Sequence, residues 1–131
     1  MSDSTATGIR EISLIVVPVT DQDRSIEFYE SLGFDKRTDM PFGGDYRWVE
    51  VYAPSGTTGI ALATPRPGDP TGVVTGITLT SDDVDATHRE LQSLGVDADA
   101  EVSRMGDPVP PMFWFRDPDG NSLLIVQRPS A

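Results

Sequence analysis

Cysteine is absent from this 131-residue chain, and histidine occurs once. The first absence excludes disulfides, zinc–thiolate centres and thiol nucleophiles, and it leaves the redox compartment undetermined. The second leaves a histidine-based triad only one position, His88, in the middle of a helical stretch and not a useful one. Basic residues are scarce as well: 10 Lys and Arg stand against 21 Asp and Glu, a formal charge of −11. Such a surface repels phosphate backbones and anionic lipid, so neither nucleic acid nor a membrane is an expected partner, and solubility is the plain reading of the acidity. No apolar run approaches the roughly 20 residues that span a bilayer. Residues 1–8 are small and polar, without a basic n-region or an apolar h-region, and read as a disordered tail rather than a signal peptide. The expectation is a soluble cytoplasmic protein with one domain over residues 9–131.

What is present is punctuation. Asp117-Pro118-Asp119-Gly120 is strong turn chemistry, and it lies between two runs rich in aromatic and branched residues, Met112–Arg116 and Ser122–Gln127. A fainter copy, Pro54-Ser55-Gly56, separates strand-like Tyr46–Ala53 from Gly59–Thr64. Upstream of each pair comes the same order. Glu11–Val19 reads as a strand, Thr20 or Asp21 as a helix N-cap, Ser25–Leu32 as a helix with Ile26, Tyr29 and Leu32 on one face, and Phe34–Arg37 as a short strand before a loop at Thr38–Asp45. Val73–Thr80, a cap at Ser81 or Asp82, a helix ending at Leu94, a strand at Val96–Ala100 and a loop at Glu101–Pro111 repeat it. Gly33 and Gly95 end the two helices. The chain therefore reads as βαβββ written twice, over about 9–64 and 73–128, with a Pro/Gly-rich linker at 65–72.

With Val19-Thr20-Asp21, Ser25-Ile26, Phe28-Tyr29, Leu32-Gly33-Phe34 and the closing Asp117-Pro118-Asp119-Gly120-Asn121, the chain resembles the vicinal oxygen chelate superfamily, which includes glyoxalase I, bleomycin-resistance proteins, fosfomycin-resistance enzymes and extradiol dioxygenases. The resemblance covers nearly the whole chain after the tail. It implies an α+β fold of two tandem βαβββ modules whose eight strands curl into an incompletely closed cup, with helices outside and ligand inside, often in a homodimer. One such scaffold hosts binders, lyases, isomerases and oxygenases.

Enzymes of this superfamily typically hold a divalent metal at four cup positions. Carried over residue by residue, these fall on Leu14, Ala61, Gly76 and Leu124, none of which can ligate a cation. A register slip of one offers no rescue. The resemblance then implies no metal and no other cofactor, and argues against isomerase, thiol-transfer or ring-cleaving chemistry.

Strand alternation places Leu14, Val16, Trp48, Glu50, Tyr52, Ala61, Thr78, Met112, Trp114, Arg116 and Leu124 toward the cup, and Ile15, Val17, Val49, Val51, Phe113 and Phe115 toward the helices. An apolar surface bearing two tryptophans suits a flat or aromatic small molecule. Packing within the sheet, or a dimer seam, explains each tryptophan about as well. Glu50 is the candidate for acid–base work, for orienting a ligand cation, or simply for pairing with Arg47, Arg116 or another basic residue. His88 reads as a helix residue packed on the sheet, with a ligand or base role as the alternative. The segments Met40–Gly44 and Met105–Pro110 combine apolar tips with Gly or Pro, as gating loops and ordinary connections both do. The leading function is metal-independent binding of an aromatic antibiotic or metabolite. The alternatives are a superfamily enzyme, glyoxalase-like, dioxygenase-like or metal-free through Glu50, and a dimer with a vestigial cup.

Overall fold

The computed structural model describes residues 7–41 and 43–129. The order is β1 (Leu14–Pro18), α1 (Gln22–Ser31), β2 (Asp35–Pro41), β3 (Arg47–Tyr52), β4 (Gly59–Ala63), then β5 (Val74–Ser81), α2 (Val84–Ser93), β6 (Asp97–Ala98), β7 (Met112–Arg116) and β8 (Ser122–Gln127). Each βαβββ unit makes one four-stranded sheet, in the orders β1-β4-β3-β2 and β5-β8-β7-β6. In both, the first strand pairs parallel to the last, and the remaining neighbours are antiparallel.

The helices form because each is bracketed by the same two devices. Asp21 and Asp83 cap the N-termini, their carboxylates accepting from Arg24 N at 3.1 Å and Ala86 N at 3.0 Å. The second cap lies one residue past the expected Ser81 or Asp82. The Ser81 hydroxyl is engaged instead with Thr87 Oγ1 at 2.6 Å and Asp83 N at 3.1 Å. At the other end Gly33 (φ 98°) and Gly95 (φ 75°) take left-handed backbone, which lets Phe34 N reach Tyr29 O and Val96 N reach Leu91 O, each at 3.0 Å.

Several strand boundaries differ from the sequence reading: β1 starts at Leu14 rather than Glu11, and others shift by a residue, but the largest changes are in β2 and β6. β2 runs on to Pro41, through part of the expected loop. Its outer half is held by Asp39, which accepts from Lys36 Nζ at 2.9 Å and from Arg47 at 2.8 Å, and a register shift between Lys36 and Thr38 absorbs the misfit. β2 is an edge strand studded with charge, which guards it against pairing with other chains. β6 is shorter than expected, Asp97–Ala98 only. Phe42, part of the Met40–Gly44 segment, lies outside the described residues, as does most of the expected tail at 1–8.

Alternation decides the core. Val17, Val49, Val51, Leu62, Phe113, Phe115 and Leu123 are sealed, and they join Tyr29, Ile26, Val84 and Leu91 of the helices in one apolar cluster that draws on both units. Phe28 of α1 sits 6.3 Å from Phe115 of β7, ring to ring, so the helix of one unit packs on the sheet of the other. The helices thus occupy the layer between the sheets, and the sheets do not close on each other. Each turns its helix-free face outward. Val16, 59 % exposed, and Trp114, 36 % exposed, mark those two faces.

Candidate functional site

The first outward face is built on β1, β3 and β4. Residues 48, 50 and 52 alternate onto it, and they form one hydrogen-bonded unit. Trp48 Nε1 donates to Glu50 Oε2 at 2.7 Å, and the Tyr52 hydroxyl donates to Glu50 Oε1 at 2.9 Å. Thr38 on the neighbouring strand adds a longer contact of 3.5 Å. Glu50 is half-buried and finds its partners among neutral donors. The expected pairing with Arg47 or Arg116 does not occur, because each arginine is engaged by acids closer to it: Arg47 by Asp23 at 2.7 Å and Asp39 at 2.8 Å, Arg116 by Asp97 at 2.9 Å and Asp99 at 3.0 Å. In an acidic chain with few cations, those competitors win.

The same geometry sets the titration of the neighbours. Accepting from the Tyr52 hydroxyl, the Glu50 carboxylate pushes that phenol above its usual range. Asp39 and Asp97 are held below the carboxylate range, chiefly by the Arg47 and Arg116 guanidinium groups that donate to them. The Arg37 guanidinium stands 4.5 Å from the centroid of the Tyr52 ring.

Gly59 makes room for the clamp. A Cβ there would come within 2.6 Å of Tyr52 Cζ and 2.9 Å of Leu14 Cδ2, so both side chains lie across its bare backbone. Ala61 is fully buried, paired in register with Val16 and Glu50. Along the edge of this face, Val16, Pro18 and Ala63 with Thr64, Pro65, Arg66, Asp69, Pro70 and Val73 border an open hollow of about 430 Å³.

The second face belongs to β5, β7 and β8. Met112, Trp114 and Arg116 alternate onto it beside Leu124, which pairs in register with both Trp114 and Thr78. Trp114 is anchored through its backbone to Asp99, accepting from Asp99 N at 2.9 Å. The eleven side chains expected to face the cup therefore fall into two groups on two outward faces, Leu14, Val16, Trp48, Glu50, Tyr52 and Ala61 on one, Thr78, Met112, Trp114, Arg116 and Leu124 on the other. Of the four positions that the resemblance assigned to a metal, Leu14 and Ala61 stand on the first face and Gly76 and Leu124 on the second. None offers a side-chain donor, so the donor set does not fit a divalent cation there. His88 lies on neither face: it is buried in α2, its Nε2 2.7 Å from Asp99 O and its ring 4.7 Å from Phe113.

This doubled sheet, with its paired caps and its Asp-Pro-Asp-Gly-Asn turn, is matched by comparison with known proteins. The profile of the Glyoxalase/Bleomycin resistance protein/Dioxygenase superfamily fits residues 11–125. The chain belongs to that superfamily. TnmS3, an antibiotic-binding protein from Streptomyces sp. CB03234, is 35 % identical and superposes with a TM-score of 0.80 over 93 % of this chain and 98 % of that one. A superfamily member from Sphaerobacter thermophilus DSM 20745 is 31 % identical, with a TM-score of 0.84 over 92 % and 98 % of the two chains. The uncharacterised protein YurT of Bacillus subtilis is 31 % identical over 121 residues, 84 % of this chain and 93 % of its own length.

Two contributors were not legible beforehand. The sequence pattern puts Thr38 in a loop, and Gly59 carries no signal except its place in the strand alternation. Among the described residues, no helix is long and apolar enough to cross a membrane.

Proposed function

We propose that this member of the superfamily is a cytoplasmic small-molecule-binding protein that works without a metal and sequesters a flat, aromatic compound such as an antibiotic or secondary metabolite. The observation that carries the reading is the Trp48–Glu50–Tyr52 clamp, a rigid aromatic platform whose one charge is already held by neutral donors. A platform of that kind offers stacking area and fixed dipoles, and its carboxylate is already engaged by the donors beside it. TnmS3, at 35 % identity, binds an antibiotic, which supports the same class of ligand here.

The helix layer keeps the two outward faces of one chain apart, so the face bearing Trp48 can meet a face bearing Trp114 only in a second copy. The functional unit is then a homodimer with two cups, each lined by Leu14, Val16, Trp48, Glu50, Tyr52 and Ala61 of one protomer and by Thr78, Met112, Trp114, Arg116 and Leu124 of its partner. Exposed apolar area on both faces supports this arrangement.

The test is titration of a panel of planar aromatic antibiotics by quenching of the two tryptophans, with the recovered compound analysed by mass spectrometry. Saturable binding with the compound returned intact supports sequestration. Consumption of the compound, lost in Glu50→Gln, would replace this reading with metal-free acid–base catalysis.

A further inference from the structure

The two units are related by an approximate two-fold repeat, yet the seams that the repeat generates are unequal. At the first seam the second unit's turn is tied to the first unit. Asp117, only 4 % exposed, accepts from the Tyr29 hydroxyl at 3.0 Å, Asn121 Nδ2 donates to Pro18 O at 2.8 Å, and Asp119 Oδ1 accepts from Thr20 Oγ1 at 2.6 Å. At the second seam the matching positions hold Ala53 for Asp117, Leu91 for Tyr29 and Thr58 for Asn121. Among the described residues, no hydrogen bond joins the Ala53–Thr58 turn to β5 or α2. Where the latch would stand there is a cavity of about 610 Å³, walled by Ile15, Ile60, Ile77, Leu79, Leu91 and Phe115, with serine and threonine at its rim.

We infer that this cavity is a second binding site, centred between the two units, meeting the outward faces only at Gly59 and Thr78, and open to an uncharged, apolar small molecule. Its volume suits a compound of two or three fused rings, and clefts between structural units are where such sites concentrate. In a chain of formal charge −11, no Asp, Glu, Lys, Arg or His lines it. An ionised ligand would lose its hydration there and gain no counter-charge. Neutral ligands keep the apolar gain and find hydroxyls at the mouth. Truncation of the latch, from Tyr to Leu and from Asp to Ala, supplies the space.

The experiment uses the neutral fluorophore N-phenyl-1-naphthylamine on the full chain. Saturable fluorescence enhancement at one equivalent per chain is expected, with methyl NMR shifts at Ile15, Ile60, Ile77 and Leu91 and none at Leu14 or Leu124. Ala53→Phe fills the mouth, and Ala53→Asp with Leu91→Tyr rebuilds the missing latch. Each is expected to weaken binding at least tenfold. The methyl shifts keep the question decidable if either filled variant folds poorly. Absence of saturable binding overturns the inference, as do shifts confined to Leu14 and Leu124. So does a shift of the cavity methyls with protein concentration alone, since a second copy would then occupy the groove.

Discussion

The Tyr29 hydroxyl donates to Asp117 Oδ2 at 3.0 Å, 88 residues apart in sequence and fully inside the molecule. Asp117 also accepts from Asn121 N, Asp119 N and Asn121 Nδ2, each at 2.9 Å, so a buried carboxylate is carried entirely by neutral donors. Tyr29→Phe removes one donor and leaves the rest. The expected cost is about 1–3 kcal/mol of unfolding free energy, read as a lower denaturation midpoint with an unchanged m-value.

The same pair makes stability fall in alkali. Burial, and then the charge of Asp117, raise the Tyr29 phenol above its ordinary value. A phenol raised in the folded state keeps its proton when the unfolded chain has released it. Its contribution is complete below roughly pH 10, the unfolded value, and is lost as pH climbs beyond it. Stability measured from pH 8 to 11 is expected to drop more steeply in the wild type than in Tyr29→Phe. Parallel curves for the two proteins would remove Tyr29 from the explanation.

At the acid end the sign reverses. Asp39 and Asp97 are held low by Arg47 and Arg116, so their contribution is present above the unfolded carboxylate value, roughly pH 4, and disappears as pH falls through the lower folded value. Both pairs are near the surface, so 1 M salt is expected to blunt the effect. The measurement is the acid limb of a stability profile at low and high ionic strength, in wild type and Asp39→Asn.

Much of this organisation was legible in the chain, and the reason is local. Phe113 and Phe115 are sealed while Trp114 between them is exposed, because a strand with one covered face must alternate. The paired helix stops at Gly33 and Gly95 announced the repeat because each depends on its own residue alone. Glu50 was harder. Its eventual partners lay two residues away on either side, but Arg47 was nearer in sequence than any acid that claims it. Nothing in a linear pattern ranks Asp23 and Asp39 above Glu50. The seam was harder still, since Tyr29 and Asp117 carry no mark of each other and a cavity is written only as small residues where the repeat has large ones.

Gly59 offers a way to disturb the clamp without touching it. An alanine Cβ would stand 2.6 Å from Tyr52 Cζ, and the ring must swing aside because the strand cannot. The cost to stability is modest, about 1–3 kcal/mol, since a side-chain end can move. The effect on Glu50 is larger, because the 2.9 Å bond from Tyr52 cannot survive the displacement. Gly59→Ala is therefore expected to weaken aromatic-ligand binding about as much as Tyr52→Phe does, and combining the two is expected to add little. Independent, additive losses would place Tyr52 outside the site that Gly59 supports.

The outward faces lead to the final expectation. Val16 and Trp114 are exposed apolar side chains on the two outward faces of one chain, and in the proposed dimer each face is half of a cup. A charge placed on either, as in Val16→Glu or Trp114→Glu, would lie against apolar surface in an assembled pair and uncompensated there. Both variants are expected to sediment as monomers at concentrations where the wild type is dimeric, and both are expected to lose aromatic-ligand binding in step with the loss of the dimer. Mixing them is not expected to restore full binding. One cup would carry both new charges and the other neither, so at most half of the sites would recover. Binding at full stoichiometry by a monomeric variant would show instead that a single face suffices, and that the second copy contributes nothing to the site.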